Sequence, residues 1–366
     1  MKTVCNYDEC TGCMACIDKC PKQCISIEDN LYALNAIKDI ELCIECGLCE
    51  KVCPNKNLIQ KHNPIEWKQG WAEWSVRCNS SSGGAASAII GSFIKNGGYV
   101  ASCLFKEGQF LFDITNDLEY AKQFAGSKYV KSNPVGIYKK IQERLKTDKV
   151  LFIGLPCQVA GLKNYIVDQK YLYTIDLICH GTPSIDILKL YLNEKKIDLN
   201  EVSTISFRKN IIMGLDIDGK RMCSVGEDDY LMSYLDSLTY TENCYQCKYA
   251  SFDRVSDITL GDSWDSEHKN EEKNGISLIL IQTEKGKKIC SNLELFDVDI
   301  NIAKSVNHQL NNPSLKNSNR EFFINGLKEG NKFSALIRKL YKNKIIKRYI
   351  KYILVFLKFR EPIEVE

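Results

Sequence analysis

Long apolar runs are missing from this sequence of 366 residues. No stretch of eighteen apolar residues occurs, so no membrane-spanning helix is predicted. The opening residues MKTVCNYDEC lack the apolar core of a secretory signal peptide, and a secreted protein held by disulfides is therefore not predicted. No G-x-G-x-x-G turn follows a predicted strand, so a Rossmann dinucleotide site is not supported. These absences predict a cytoplasmic protein that is soluble or, at most, peripheral to the inner membrane surface.

Cysteine, in contrast, is abundant. The chain has 18 cysteines and 44% hydrophobic residues, which is enough apolar material for two or three domains with their own cores. In a reducing cytosol, cysteines bunched at Cys-x-x-Cys spacing are more often metal ligands than disulfide partners. The composition therefore favours a metalloprotein.

Two cysteine runs near the N-terminus have the spacing of a bacterial two-cluster ferredoxin. CTGCMACIDKCP and CIECGLCEKVCP both follow C-x2-C-x2-C-x3-C-P, in which three cysteines hold one 4Fe-4S cluster and the fourth crosses to the other. Zinc knuckles are the alternative, but zinc gives no reason for a duplicated run with proline after each fourth cysteine. The predicted ligands are Cys10, Cys13, Cys16 and Cys53 for one cluster, and Cys20, Cys43, Cys46 and Cys49 for the other. Cys5 and Cys24 fall outside the pattern and are predicted to be small core residues.

The rest of the chain is predicted to form three further segments. Residues 61–75 are polar with several tryptophans and are predicted to connect the ferredoxin module, residues 1–60, to a larger domain and to pack against it. From 76 to 330, predicted strands such as KVLFIG alternate with predicted helices, which is typical of an α/β domain. Residues 331–366 predict a basic amphipathic helix. The predicted fold is an α+β ferredoxin-like module, then a larger mixed α/β domain, then a helical C-terminal tail.

Four cysteines of the predicted α/β domain are candidates for a further metal site. Cys157 and Cys179 each follow a predicted strand, and loops at the carboxyl ends of neighbouring strands in such sheets meet at one crevice. The segment NCYQCKYA adds a Cys-x-x-Cys pair, Cys244 and Cys247. Four thiols match either a third 4Fe-4S cluster or a structural zinc, and spacing alone does not decide between them.

Several segments in one order resemble the coenzyme F420 hydrogenase/dehydrogenase beta-subunit family. They are GLPCQVAGLKNY, IDLICHGTPS, ISFRKN, CYQCKYASFDRVSDITLGDSW and NGISLILIQTEKG; the added ferredoxin module and the many lysines are similar to the bacterial type. The resemblance implies a flavoprotein that binds FAD and a 4Fe-4S cluster and passes electrons between clusters and a two-electron carrier. It also places the family's four cysteines at Cys157, Cys179, Cys244 and Cys247, which favours a cluster over zinc.

The same resemblance indicates where FAD would bind. SSSGGAAS contains Ser82, Gly83 and Gly84 before a predicted helix, whose free N–H groups could hold a pyrophosphate. AGSKYVKSN contains Ser127, Lys128 and Tyr129, candidates for phosphate and ring contacts. Without the resemblance, a Gly-Gly pair before a helix is more often simple turn chemistry.

Three other residues have two interpretations each. Asp262 and Trp264 in LGDSW either line the flavin cavity or form a buried turn. His180, beside Cys179, is a candidate proton donor to reduced flavin or substrate. The alternative for His180 is a hydrogen bond to its own loop.

The predicted function is an FAD-dependent iron-sulfur oxidoreductase with three 4Fe-4S clusters, an unidentified small-molecule substrate and an external ferredoxin or partner subunit. Nucleic acid is not a predicted partner. Two alternatives stay open: an electron-relay subunit without its own substrate site, and a zinc-bearing module fused to a ferredoxin. Residues 332–366 contain 10 Lys/Arg and 3 Asp/Glu, a net charge of +7, so the predicted tail helix either contacts an anionic membrane surface or packs on its own domain.

Overall fold

The computed structural model describes residues 2–290 and 293–359. Its strands are Lys2–Thr3 (β1), Ile25–Asp29 (β2), Leu34–Lys38 (β3), Glu66–Trp71 (β4), Tyr99–Lys106 (β5), Gln109–Thr115 (β6), Val150–Gly154 (β7), Leu172–Leu177 (β8), Ile205–Lys209 (β9), Ile212–Ile217 (β10), Lys220–Arg221 (β11), Ile258–Asp262 (β12), Ser277–Ile281 (β13) and Glu294–Asp297 (β14). Its α-helices are Ala15–Lys19 (α1), Leu48–Lys51 (α2), Trp74–Arg77 (α3), Ala85–Lys95 (α4), Leu118–Ala121 (α5), Ile137–Arg144 (α6), Pro156–Tyr165 (α7), Ile185–Glu194 (α8), Asp229–Leu235 (α9), Lys269–Glu272 (α10), Glu284–Ile289 (α11), Ile300–Val306 (α12), Arg320–Lys328 (α13), Phe333–Leu340 (α14) and Lys342–Phe356 (α15).

The N-terminal module combines a small antiparallel sheet with two short helices. Strands β1 and β2 both pair with β3. Each cysteine loop reaches a residue with left-handed backbone, Met14 at φ 59° and Gly47 at φ 70°, after which α1 and α2 begin. The second position suits glycine, which has no Cβ to strain this conformation. The duplicated cysteine run thus forms a duplicated loop-and-helix unit, as expected of an α+β ferredoxin-like module.

A mixed sheet organises the larger domain, in the order β14-β4-β13-β12-β8-β7-β5-β6. Strands β12, β8, β7 and β5 run parallel at its centre, and the strands on either side are antiparallel. VLFIG of β7 and SLILI of β13 are buried at every position, as expected of strands covered on both faces. Strand β4 lies in the predicted connector, residues 61–75, and pairs with β13 and β14; its sequence EWKQGW has no clear alternation that would predict a strand.

The parallel strands bring two cysteine loops together. β7 and β8 are neighbours, with Gly154 opposite Asp176 at their carboxyl ends. Cys157 lies in the first turn of α7 directly after β7, and Cys179 lies two residues beyond the end of β8. The crevice expected at the carboxyl edge of this sheet therefore exists and contains both thiols.

The N-terminal module packs directly against the larger domain. Helix α1 contacts α7 and α6, and one apolar cluster contains residues of both parts, among them Ala15 and Val159. The Asp18 carboxylate accepts hydrogen bonds from the backbone N–H of Gly136 at 2.7 Å and Tyr138 at 3.1 Å, at the start of α6. The two parts thus share a core and a helix cap.

The C-terminal helices differ in burial. Phe333 and Ile337 of α14 are buried, whereas Ile345 is the buried residue of α15. Helix α15 is held near its middle by Arg348, whose guanidinium donates to Asp229 at 2.5 Å. The predicted tail ends at 366, and its last seven residues, 360–366, lie outside the described residues. No described helix combines the length and apolar character needed to cross a bilayer.

Candidate redox site

The first thiol group comprises Cys10, Cys13, Cys16 and Cys53, the predicted ligands of one ferredoxin cluster. All four are buried. Cys53, from the second run, lies close enough to Cys13 and Cys16 to act on both electrostatically, which is the crossing-over that the spacing predicts. Burial raises the pKa of Cys13 to about 11, so iron binding would have to displace the thiol proton. The backbone N–H of Gly12 donates to Cys10 Sγ at 3.4 Å.

The second thiol group comprises Cys20, Cys43, Cys46 and Cys49. These four cysteines line one cavity of about 290 Å³, with Cys20 contributed by the first run. The donors and the space fit the predicted 4Fe-4S cluster. Of the twelve predicted ligand cysteines, Cys46 alone is exposed.

Cys5 and Cys24 adjoin these two groups. Cys24 Sγ lies 3.4 Å from Cys20 Sγ. Cys5 interacts with Cys10 and Cys53, and the first of these contacts raises the pKa of Cys5 to about 12. Both are buried, as predicted, but they are also neighbours of predicted ligands. The cysteine spacing contains no signal of this, because the pairing of β1 and β2 with β3 brings them there.

The third thiol group comprises Cys157, Cys179, Cys244 and Cys247. All four line one cavity of about 300 Å³; the last two come from a 3-10 turn at Glu242–Gln246 and the residue after it. Thr241 Oγ1 lies 3.4 Å from Cys244 Sγ. Burial raises the pKa of Cys179 to about 12. Because the thiols surround a cavity, the space fits a four-iron cluster better than one zinc held at about 2.3 Å.

Lys131 occupies the boundary between the first and third groups. It is 6% exposed, lines the third group's cavity, and donates from Nζ to the carbonyl oxygen of Thr11 at 3.1 Å. Burial disfavours its charge, but Cys244, Cys157 and Cys179 outweigh that effect and raise its pKa. The sequence did not predict a role for Lys131, since a single lysine carries no spacing pattern.

A larger cavity of about 390 Å³ adjoins the third group. Most of the sequence-predicted residues line it: Ser82, Gly84, Ser127, Lys128, Tyr129, His180, Asp262 and Trp264. Gly83 has another role, because a Cβ there would lie 2.6 Å from the backbone nitrogen of Ser277 and 2.7 Å from the Gly70 carbonyl oxygen. Gly83 permits close backbone packing behind the cavity, so the structure gives no support for a flavin contact by Gly83.

The cavity contains a lysine that has no carboxylate within ion-pair distance among the described residues. Lys128 Nζ donates to the carbonyl oxygens of Phe124 and Ala125, each at 2.8 Å, and burial lowers its pKa to about 8. Gly84, at φ +81°, precedes α4 and its free N–H groups. An anionic group bound here would meet a buried ammonium and a helix N-terminus together.

Aromatic and charged side chains also line the large cavity. Tyr129 stacks on Tyr234 with ring centroids 4.7 Å apart. Arg208 makes a bidentate ion pair with Asp262 at 2.6 and 2.9 Å, and its guanidinium lies 5.4 Å from the Trp264 ring. Asp262 and Trp264 therefore line the cavity, as one of the two interpretations of LGDSW expected. Arg208, for which the sequence predicted no role, holds Asp262 in place.

His180 borders both the third group's cavity and the large cavity. Its Nδ1 lies 2.8 Å from Gln309 Nε2, and its carbonyl oxygen accepts from Ser314 Oγ at 2.6 Å. Although the ring faces cavity space, the surrounding protein lowers the pKa of His180 to about 4 by burial. The imidazole is therefore neutral at pH 7 and lies between the two cavities.

Two protein-family models match separate parts of this sequence. The family model for the C terminus of the coenzyme F420 hydrogenase/dehydrogenase beta subunit matches residues 147–297, and a 4Fe-4S dicluster domain matches residues 9–59. The N-terminal part is also 38% identical over 59 residues to Ferredoxin-2 of Chlorobaculum tepidum, covering 14% of this chain and 89% of that protein. Ferredoxin-type 4Fe-4S clusters are thus supported.

Two longer relatives and one solved structure extend the similarity. A subunit of the F(420)H(2) dehydrogenase of Methanosarcina mazei is 23% identical over 78% of this chain and 82% of its own length. The coenzyme F420-dependent sulfite reductase of Methanocaldococcus jannaschii is 23% identical over 78% of this chain, which spans 46% of that protein. A chain of the F420-reducing NiFe hydrogenase complex from Methanosarcina barkeri has a similar fold, with a TM-score of 0.50 at 15% identity over 70% of this chain and 97% of that one. Residues 147–297 of this chain therefore match the C terminus of the coenzyme F420 hydrogenase/dehydrogenase beta subunit, and a 4Fe-4S dicluster domain precedes them in the sequence.

Proposed function

We propose that this chain is an FAD-dependent oxidoreductase with three 4Fe-4S clusters, which joins a one-electron protein partner to a two-electron small molecule. The observation that carries the proposal is the shared wall between the third thiol group and the large cavity. Both are lined by Leu155, Cys179, His180, Gly181 and Thr182. A cofactor in the large cavity would thus be separated from the third group by a single layer of residues.

The chemistry follows from what each group exchanges. Iron-sulfur clusters exchange single electrons and flavins exchange one or two, so a flavin beside a cluster would couple the two kinds of carrier. Lys128 and the N-terminus of α4 would bind the flavin's phosphates, and Tyr129 would contact a ring. His180, neutral at pH 7, would donate a hydrogen bond at the reactive end of the cavity.

The three thiol groups lie in an order that supports electron transfer between the second group and the large cavity by way of the first and third groups. Cys157 of the third group and Cys13 of the first are close enough to interact electrostatically, and Gly161 of α7 leaves room for Cys13 Sγ, which lies 3.1 Å from the position of a Cβ. Cys16 of the first group interacts with Cys49 of the second. The second group therefore forms the end remote from the large cavity.

The remote end has the surface expected of a docking site for an electron-transfer partner. Exposed Cys46 lies beside three exposed apolar residues, Ile40, Leu42 and Ile44. A ferredoxin or a partner subunit that covers this patch would reach the second group over a short distance. The relatives' names include a dehydrogenase subunit and a hydrogenase complex, which supports a protein partner for this chain.

For the two-electron reactant, we propose a chemical class and no single compound. Both longer curated relatives are named for F420-linked redox reactions, which supports a deazaflavin-like or other two-electron carrier at the large cavity. The competing proposal, an electron-relay subunit without its own reactant site, does not account for a cavity of about 390 Å³ beside the third group.

The C-terminal helix suggests a second contact. Ile346, Ile350 and Ile353 of α15 are 53%, 51% and 57% exposed, so this apolar stripe is not packed on its own domain. Lysines accompany it, and a basic helix of this kind binds anionic bilayers. We infer that a cytoplasmic enzyme touches the inner membrane surface through α15.

Anaerobic purification with iron, sulfide, zinc and flavin counted per chain tests the main proposal. We expect about twelve iron atoms, one non-covalent FAD and no stoichiometric zinc. The Cys244→Ser variant should lose about four iron atoms, whereas Cys290→Ser, a buried cysteine outside the three groups, should retain all of them. About eight iron atoms, with zinc making up the balance, would refute the third cluster, and a full iron content without flavin would favour the relay subunit.

A further inference from the structure

Lys131 is a buried cation placed between two of the thiol groups. It borders the cavity of Cys157, Cys179, Cys244 and Cys247. On its other side, its Cδ lies 3.3 Å from the position that a Cβ of Gly12 would occupy, within the loop that carries Cys10 and Cys13. Its Nζ donates to Thr11 in the same loop at 3.1 Å. One ammonium group therefore faces predicted ligands of both the first and the third cluster.

The charge of Lys131 is not cancelled by a neighbouring carboxylate. No ion pair within 4.0 Å joins it to an acidic side chain among residues 2–290 and 293–359. Asp29 interacts with it from a distance, but that carboxylate accepts hydrogen bonds from Ser184 Oγ at 2.5 Å and from the Leu31 N–H at 2.9 Å. Asp8, Glu9 and Glu242 line the third group's cavity without forming an ion pair with Lys131, and Glu242 pairs with Lys316 and Arg320. The thiol groups are thus the principal negative partners available to Lys131.

The second thiol group has a lysine in a different situation. Lys38 lies beside Cys49 and is also buried, but its Nζ is 2.6 Å from Glu50 Oε1. The pair brings almost no net charge to the second group. Lys22 also lines that group's cavity and has no ion pair with an acid among the described residues, but it is exposed to solvent. A buried cation without an ion pair therefore lies beside the first and third groups but not beside the second.

Reduction adds one negative charge to a cluster. A fixed cation in a low-dielectric surrounding stabilises the reduced form more than the oxidised form and so raises the reduction potential. Charged groups around a metal centre act on it in this way without being ligands.

We propose that Lys131 is a positioning residue that raises the reduction potential of the third cluster, and to a smaller extent of the first, relative to the second. Electrons would then be held preferentially at the end of the chain of clusters that adjoins the large cavity. The inference rests on the proposed function, because it requires a cluster at the third thiol group.

The test is an EPR-monitored redox titration of the full-length, cluster-loaded protein. In Lys131→Met we expect the equilibrium constant for one-electron reduction of the third cluster to fall about tenfold, a shift of about 59 mV to lower potential. Lys131→Arg should titrate like the wild type, since it keeps the charge. The second cluster is an internal control and should not shift. A Lys38→Met/Glu50→Gln variant, which removes equal and opposite charges, should leave the second cluster's potential close to its wild-type value.

An unchanged third-cluster potential in Lys131→Met at full iron content would overturn the inference while leaving the proposed function intact. If Lys131→Met does not hold the third cluster, Lys131→Gln is titrated in its place. Selective loss of that cluster in both neutral variants, with retention in Lys131→Arg, would also support a requirement for the charge; loss in Lys131→Arg as well would overturn it. Absence of a third cluster from the wild type would refute the proposed function itself.

Discussion

Replacement of Arg254 by methionine should both destabilise the protein and empty the third thiol group. Arg254 and Asp176 are almost completely buried, with side chains 1% and 0% exposed. The guanidinium donates to Asp176 Oδ1 at 3.0 and 3.2 Å, and to the Leu177 carbonyl oxygen at 2.9 Å. It also donates to the carbonyl oxygens of Tyr249 at 2.8 Å and Ser251 at 3.1 Å. One side chain therefore joins the end of β8, which precedes Cys179, to the loop that follows Cys247.

The expected magnitude follows from the buried charge that would be left behind. Asp176 Oδ2 is buried and has no hydrogen-bond partner among the described residues, so Arg254 is the main compensation for this carboxylate. Removing one partner of a buried ion pair costs about 3–5 kcal/mol. We therefore expect Arg254→Met to lower the free energy of unfolding by about that amount, and Asp176→Asn in the same chain to restore part of it.

Two measurements check the prediction. Urea denaturation gives the change in unfolding free energy, and iron analysis with EPR shows whether the third cluster's signal is lost while the ferredoxin signals persist. Arg144→Met is the control, because Arg144 and Asp148 form a partly exposed pair, with side chains 42% and 29% exposed, whose loss should cost about 1 kcal/mol or less. An Arg254→Met protein with unchanged stability and its full iron would show that Arg254 does not hold the two loops together.

Three further predictions follow from the cavity, the partner patch and the terminal helix. Because burial lowers the pKa of Lys128 to about 8, its ammonium is present at pH 7 and largely lost at pH 9. FAD-binding titrations should therefore show binding about tenfold weaker at pH 9 than at pH 7. The affinity of Lys128→Met should not depend on pH, whereas Lys122→Met, which changes an exposed lysine, should behave like the wild type. Leu42→Ser/Ile44→Ser should slow reduction by an external ferredoxin in stopped-flow assays without changing iron content, whereas equal rates would place the docking surface elsewhere. Ile346→Ser/Ile350→Ser/Ile353→Ser should abolish flotation with anionic liposomes at low salt but leave the fold intact, because these side chains are exposed; equal flotation of variant and wild type, or none for either, would rule out membrane contact through α15.

The cysteines show how far the sequence could predict the site. Repeated spacing predicted the two ferredoxin groups, and the rule that loops meet at the carboxyl edge of parallel strands predicted that Cys157 and Cys179 would be neighbours. Both inferences depend on local patterns or on strand order, which a sequence records directly. Cys244 and Cys247 were added to them as a Cys-x-x-Cys pair that completes a set of four thiols, and the resemblance to a family favoured a cluster over zinc for that set. The structure brings all four to one cavity.

Single charged residues were missed, although they lie in segments quoted for the family resemblance or the cofactor site, because a motif does not show which partner a charged side chain meets in the fold. Lys131, Arg208 and Arg254 belong to no repeated spacing, and their importance comes from partners far along the chain: Thr11, Asp262 and Asp176. Gly83 shows a structural requirement that its motif did not indicate. Its place in a Gly-Gly turn predicted a phosphate contact, which stays a prediction, and close packing on Ser277 and Gly70 independently requires a glycine there.

The shared core of the ferredoxin module and the larger domain has a kinetic consequence. In enzymes whose carrier domain swings on a tether, turnover slows in viscous solvents, because each cycle waits for a diffusive motion. Here the Asp18 carboxylate caps α6 and Ala15 packs in the same cluster as Val159, so no such excursion separates the first group from the third. Internal electron transfer should therefore be independent of added glycerol, and encounter with the external partner should be the viscosity-dependent step.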